Sequence, residues 1–71
     1  MSEQFRDRFR ELAASLGSDS FAYCAKTMGI SRMTYTLAYA FGEMPSKTTL
    51  HRIAKYFNVS VDYLLGKTDE K

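Results

Sequence analysis

FAYCAKTMGISRMTYTLAYA, residues 21–40, reads as two short helices joined by a tight turn at Gly29. Cys24, Ala25 and Met28 fall on one helical face, Ile30 plugs the corner after the turn, and Tyr35 and Ala38 return on a second face. A small residue at Ala25 lets two helices approach. Gly29 can adopt a backbone conformation that is costly for residues with a side chain. Ser31 stands where the second helix begins, with a hydroxyl able to cap its unmatched amides. The sequence outside this stretch reads as support for it.

Before it, Phe5, Phe9, Leu12 and Leu16 recur at steps of four, three and four, which predicts an amphipathic helix over 3–15 ended by Gly17. Arg6, Asp7, Arg10 and Glu11 occupy its outer face, where the acids can pair with arginines three or four residues away. The cluster GSDS at 17–20 makes Ser18 or Ser20 the cap of the second helix. The third helix is expected over 32–41, followed by a loop bracketed by Gly42 and Pro45. Ser46 then precedes the periodic set Leu50, Ile53, Ala54 and Phe57, which predicts a fourth helix over 47–57 closed by Asn58. Ser60 caps a last short helix that carries Val61, Leu64 and Leu65 inward, and Gly66 stops it before the charged tail KTDEK, 67–71. The fold class is all-α, with five helices, one domain over 1–66 and no repeat. One core is expected from Phe5, Phe9, Leu12, Cys24, Ala25, Met28, Ile30, Tyr35, Ala38, Leu50, Ile53, Phe57, Val61, Leu64 and Leu65.

The chain has 71 residues, enough for one small core and too few for an active site plus a large cleft. Apolar residues make up 45% and charged residues 25%, ordinary for a globular module, and no window approaches a membrane span. MSEQFRDRFRE at the start is charged and periodic, unlike a signal peptide, so a cytoplasmic location is expected. One cysteine and one histidine cannot build a four-ligand zinc site, and no metal or cofactor is expected. The net charge is only +2, yet over 20–61 Lys26, Arg32, Lys47, Arg52 and Lys55 face Glu43 alone, a local excess of +4. That excess suits either a solvated surface or a polyanion.

Taken together, FRDRFRELAASLG, AKTMGIS, TLHRIAKYFNVS and VDYLLGKTD resemble the Cro and phage-repressor (XRE) family of helix-turn-helix proteins over nearly the whole chain. The resemblance implies a five-helix, lambda-repressor-like DNA-binding domain. It also implies a transcription repressor that binds a palindromic operator as a dimer. Five positions depart from the family pattern. Phe21 replaces a phosphate-bonding glutamine, and Ala38, Tyr39 and Phe41 replace a large apolar residue, an acid and a glycine. Tyr35 is large where the family has a medium β-branched residue, so Tyr35 and Ala38 together keep the volume roughly constant.

In this docking mode the second helix of the motif enters the major groove. Its outward residues, Arg32, Met33, Thr36 and Leu37, are the candidates for reading bases. Arginine's fork matches the O6 and N7 acceptors of guanine, although Arg32 also reads as an ordinary exposed arginine. Met33 and Leu37 suit thymine methyl groups, or tuck back onto their neighbours. Ser20, Lys26, Ser31, Ser46, Lys47 and Thr48 are candidates for the DNA backbone, through hydroxyls, ammonium groups and amides at helix starts. Tyr39 suits a phosphate or burial with its hydroxyl at the surface; His51 reads as a partly buried or solvated histidine without a catalytic role, and Cys24 as core filler.

The partner expected is double-stranded operator DNA, bound by a weak homodimer or one formed on DNA, through the apolar surface near 37–41 or the last helix. A membrane or small-molecule substrate is not expected. The rival reading is a protein-interaction module of the same fold that has lost DNA binding and grips a partner with Met33, Tyr35, Leu37, Tyr39 and Phe41. Catalysis is not expected, because no paired carboxylates, activated nucleophile or phosphate-cradling glycine loop is present.

Overall fold

Serine side chains begin four helices in the structure, a computed structural model that describes residues 3–17 and 20–71. The helices are α1 Glu3–Ala14, α2 Phe21–Met28, α3 Arg32–Phe41, α4 Lys47–Phe57 and α5 Val61–Leu64. Ser20, Ser31, Ser46 and Ser60 hold extended backbone, and their hydroxyl oxygens accept the amides of Tyr23, Thr34, Thr49 and Tyr63 at 3.0–3.3 Å. Each bond satisfies an amide left over by the helical pattern and stabilises its helix by about 1 kcal/mol. The five helices fall where the sequence predicts, except that α1 ends at Ala14, one residue early. Ser18, the other candidate cap of α2, lies outside the described residues.

The helix ends are equally local. Gly29 takes the left-handed conformation at φ 76°, its amide bonds to Lys26 O at 3.1 Å, and the Ile30 amide bonds to Ala25 O at 3.0 Å. Phe41 stands where the family resemblance implies a glycine, yet it remains helical. Gly42, one residue later, makes the turn at φ 65° instead. The helix is thereby longer, and the loop to α4 starts from an ordinary glycine cap.

α1 packs on α3 and α5, α2 on α3 and α4, and α4 on α5, in a body 28 × 23 × 20 Å. The core comprises Phe5, Phe9, Leu12, Ala13, Cys24, Ala25, Met28, Tyr35, Ala38, Leu50, Ile53, Ala54, Tyr63 and Leu64. Tyr35 is only 2% exposed and Ala38 is fully buried, so the large-for-small exchange does keep both inside. Ile30, Phe57, Val61 and Leu65 contribute from the margin, half-buried and packed against that core. Ala13 and Tyr63 take interior places that helical periodicity did not assign. Among the described residues no strand forms, and no helix is long and apolar enough to cross a membrane.

Candidate nucleic-acid interface

The position of α3 is set by rings. Phe9 meets Tyr35 edge-on at 5.2 Å, Phe21 meets Tyr35 at 5.0 Å and Tyr39 at 4.8 Å, and Phe5 completes the row behind Phe9 at 5.8 Å. Aromatic pairs in such tilted arrangements add about 0.5–1.5 kcal/mol each beyond the area they bury. Phe21, which cannot bond a phosphate, therefore serves to hold α2 against the inner side of α3. Burial, together with a hydrogen bond shared with Cys24, raises the Tyr35 phenol well above its ordinary range, so it is uncharged at neutral pH. Tyr39 is half-buried in the same cluster.

Arg10 fixes the far end of α3. Its Nε donates to Tyr39 O at 2.7 Å, a longer contact reaches Ala40 O at 3.4 Å, and the guanidinium lies over the Tyr39 ring at 5.1 Å. A cation here satisfies carbonyls left over at the helix end and complements the helix dipole. Arg10 is exposed, as expected of the outer face, but its head group is engaged by α3. The expected pairs of Asp7 and Glu11 with arginines three or four residues away are absent among the described residues. Arg6 instead approaches its neighbour Asp7 at 3.7 Å. The spacing could not reveal Arg10's role, because its target lies 29 residues away in α3.

With Tyr35 and Ala38 turned inward, Arg32, Met33, Thr36 and Leu37 are carried outward and line a single concavity of about 430 Å³. Arg32 is exposed and has no hydrogen-bond or ion-pair partner among the described residues; Met33 is 72% exposed, and Thr36 and Leu37 are half-buried. Leu37 also borders a second concavity of about 290 Å³, lined in addition by Thr34, Glu43, Met44, Pro45, Ser46 and Thr49. The outer face of α3 and the start of α4 thus form one continuous surface.

The backbone candidates divide. Lys26 and Lys47 are exposed without a side-chain partner among the described residues, and Thr48 is exposed in the first turn of α4. The amides of Lys47 and Thr48 also lack intrahelical partners by the geometry of any helix start. Ser31 and Ser46 are exposed, yet each hydroxyl donates to a threonine, Thr34 Oγ1 at 2.8 Å and Thr49 Oγ1 at 3.0 Å, while accepting the cap amide. Ser20 likewise accepts its cap amide. These serines orient helix starts, so a phosphate would meet amides and lysines before serine protons. Ser20 and Lys26, at the two ends of α2, border neither concavity.

Arg52, part of the basic excess, donates to Gly29 O at 3.2 Å and ties α4 to the turn between α2 and α3. Glu43, the one acid of 20–61, sits beside Leu37 in the second concavity. Among the described residues no cluster of three or more His, Cys, Asp or Glu could hold a metal ion. Comparisons with protein-family models, with curated proteins and with solved structures gave no match to this chain.

Proposed function

We propose that this chain is a sequence-specific regulator of transcription that binds double-stranded DNA through α3, in the manner of the Cro and phage-repressor proteins it resembles. One observation carries the reading: Arg32, Met33, Thr36 and Leu37 share one exposed concavity on a helix whose opposite face is locked by Phe9, Phe21 and Arg10. A reading helix must be rigid behind and open in front, because a register error of one residue turns every side chain away from the bases. Lys26 and Lys47 supply cations, and the Lys47 and Thr48 amides supply donors, for phosphates on either side. The role is binding without catalysis, in the cytoplasm, on a palindromic operator occupied by a weak dimer or by two copies paired on DNA.

Fluorescence anisotropy with a labelled random duplex at low salt, followed by a salt series, tests the reading. Binding that weakens steeply with salt is expected, since each phosphate contact releases counterions. No binding at low salt would sink it and favour the protein-interaction module. Exposed Met33, Phe41 and Met44 support that second reading, although buried Tyr35 drops out of the surface it requires.

A further inference from the structure

We propose that the α3 concavity recognises a guanine together with a neighbouring 5-methylpyrimidine, so that binding depends on the 5-methyl group. The inference rests on the DNA-binding reading above and narrows it to a ligand chemistry. One cation, one hydroxyl and two apolar side chains converge on the concavity. Arg32 has no partner among the described residues, leaving its fork available for the two acceptors on guanine's major-groove edge. Beside it Met33 is 72% exposed. A flexible thioether on the wet side of a helix gains nothing from water, and the apolar group that the major groove offers is the methyl on pyrimidine C5.

The same concavity discriminates by what it lacks. Among its lining residues there is no carboxylate or amide to accept from the exocyclic amine of cytosine or bond both edges of adenine. A pyrimidine without its methyl therefore leaves Met33 and Leu37 facing trapped water. Thymine and 5-methylcytosine present the same methyl, so either gains the contact, although the amine of 5-methylcytosine still meets no carboxylate or amide among the lining residues. Removing one such contact lowers affinity about fourfold, the equivalent of about 0.8 kcal/mol for one buried carbon.

The test starts from a duplex selected out of a random pool by the unaltered protein. That duplex is resynthesised with deoxyuridine at each thymine in turn, and with 5-methylcytosine at each cytosine in turn, and affinities are compared by anisotropy. The expected result is a loss of about fourfold at a thymine within two base pairs of a required guanine, or an equal gain where methyl is added to a cytosine there. Met33→Ala should shrink that ratio toward one while the guanine preference survives. Equal affinity for all forms overturns the inference, as does a ratio unchanged in Met33→Ala. A pool that yields no enriched duplex overturns the DNA reading itself and the inference with it. An enriched duplex indifferent to methyl overturns only the inference. The nucleotide arms need no protein variant, so misfolding cannot obscure them.

Discussion

The turn at residues 29–31, Gly-Ile-Ser, leads into α3, and the turn at 58–60, Asn-Val-Ser, leads into α5. Both place a left-handed residue first, at φ 76° and 57°, and both bond the next amide back to the preceding helix, Ile30 to Ala25 O at 3.0 Å and Val59 to Ala54 O at 2.9 Å. Each then sets a half-buried apolar residue and a serine cap in extended backbone. Counted from the caps, the fourth residue is buried in both helices, Tyr35 in one and Leu64 in the other. They part at the first and third. Exposed Arg32 and half-buried Thr34 answer to half-buried Val61 and buried Tyr63.

The difference comes from a residue outside both turns. Arg8, on α1, lies over the Tyr63 ring at 4.1 Å, donates to Tyr63 O at 3.2 Å and Thr68 O at 3.0 Å, and pairs with Asp69 at 2.8 Å. The tail is thereby folded over α5, and the Lys71 carbonyl accepts the Ser60 amide at 3.0 Å. Among the described residues nothing comparable covers the outer face of α3. Closely similar local turns thus deliver one helix to the core and leave the other with an open face.

Substitutions can break that division. Tyr63→Ala removes a buried ring and should lower stability by about 3–5 kcal/mol in urea titration, whereas Met33→Ala at the α3 surface should stay within about 0.5 kcal/mol. A similar loss at both would mean that α3 has no open face. Arg32→Ala should leave unfolding unchanged and cost about 1–3 kcal/mol on the preferred duplex, with far less on random DNA. Equal losses on both duplexes would reduce Arg32 to a phosphate contact.

The two turns themselves differ by their first residue. Gly29→Ala forces a side chain into left-handed backbone with its Cβ 3.4 Å from the Arg52 guanidinium, and should lower the melting free energy by about 1 kcal/mol. Asn58→Gly should be within a few tenths of neutral, because Asn58 already tolerates that conformation. If Gly29→Ala melted like the parent, the left-handed backbone at residue 29 would carry no cost for a side chain. The smallest effect is expected at Lys47→Ala: unchanged stability, uniformly weaker DNA binding and a salt slope reduced by about one. A loss confined to one DNA sequence would show base reading instead.

These turns were legible in the sequence because their determinants lie within five residues of one another. Serine before a periodic run, and glycine or asparagine after it, act through bonds to the nearest amides and carbonyls. Periodicity likewise marked Phe5, Phe9 and Leu12, and the compensation between Tyr35 and Ala38 was readable only by setting their volumes against the pattern of the family the chain resembles. Arg8, Arg10 and Tyr63 were not. On a helical wheel the arginines of α1 look like solvated charges, and only the approach of α3 and of the tail gives Arg8 and Arg10 carbonyls and rings to meet. Ile30, Phe57, Val61 and Leu65, apolar and correctly phased, do pack against the core, from its half-buried margin. On α3 the outward set followed once Tyr35 and Ala38 were placed inside, but the internal bonds that occupy the Ser31 and Ser46 hydroxyls depend on Thr34 and Thr49, three residues on.

Arg8 also bears on the order in which the molecule assembles. Its bonds join residues 55, 60 and 61 positions apart, so they close nearly the whole chain into a ring. The entropy of closing so long a ring is lost before its contacts return anything, while the four serine caps form between residues three apart. The clasp is accordingly a late event on the folding path, and its strength resides in the rate of opening. In stopped-flow measurements Arg8→Ala should accelerate unfolding and leave refolding close to the parent rate; slowed refolding would place the clasp in the nucleus. Tying α1 to the segment that follows α5 keeps the two from fraying independently.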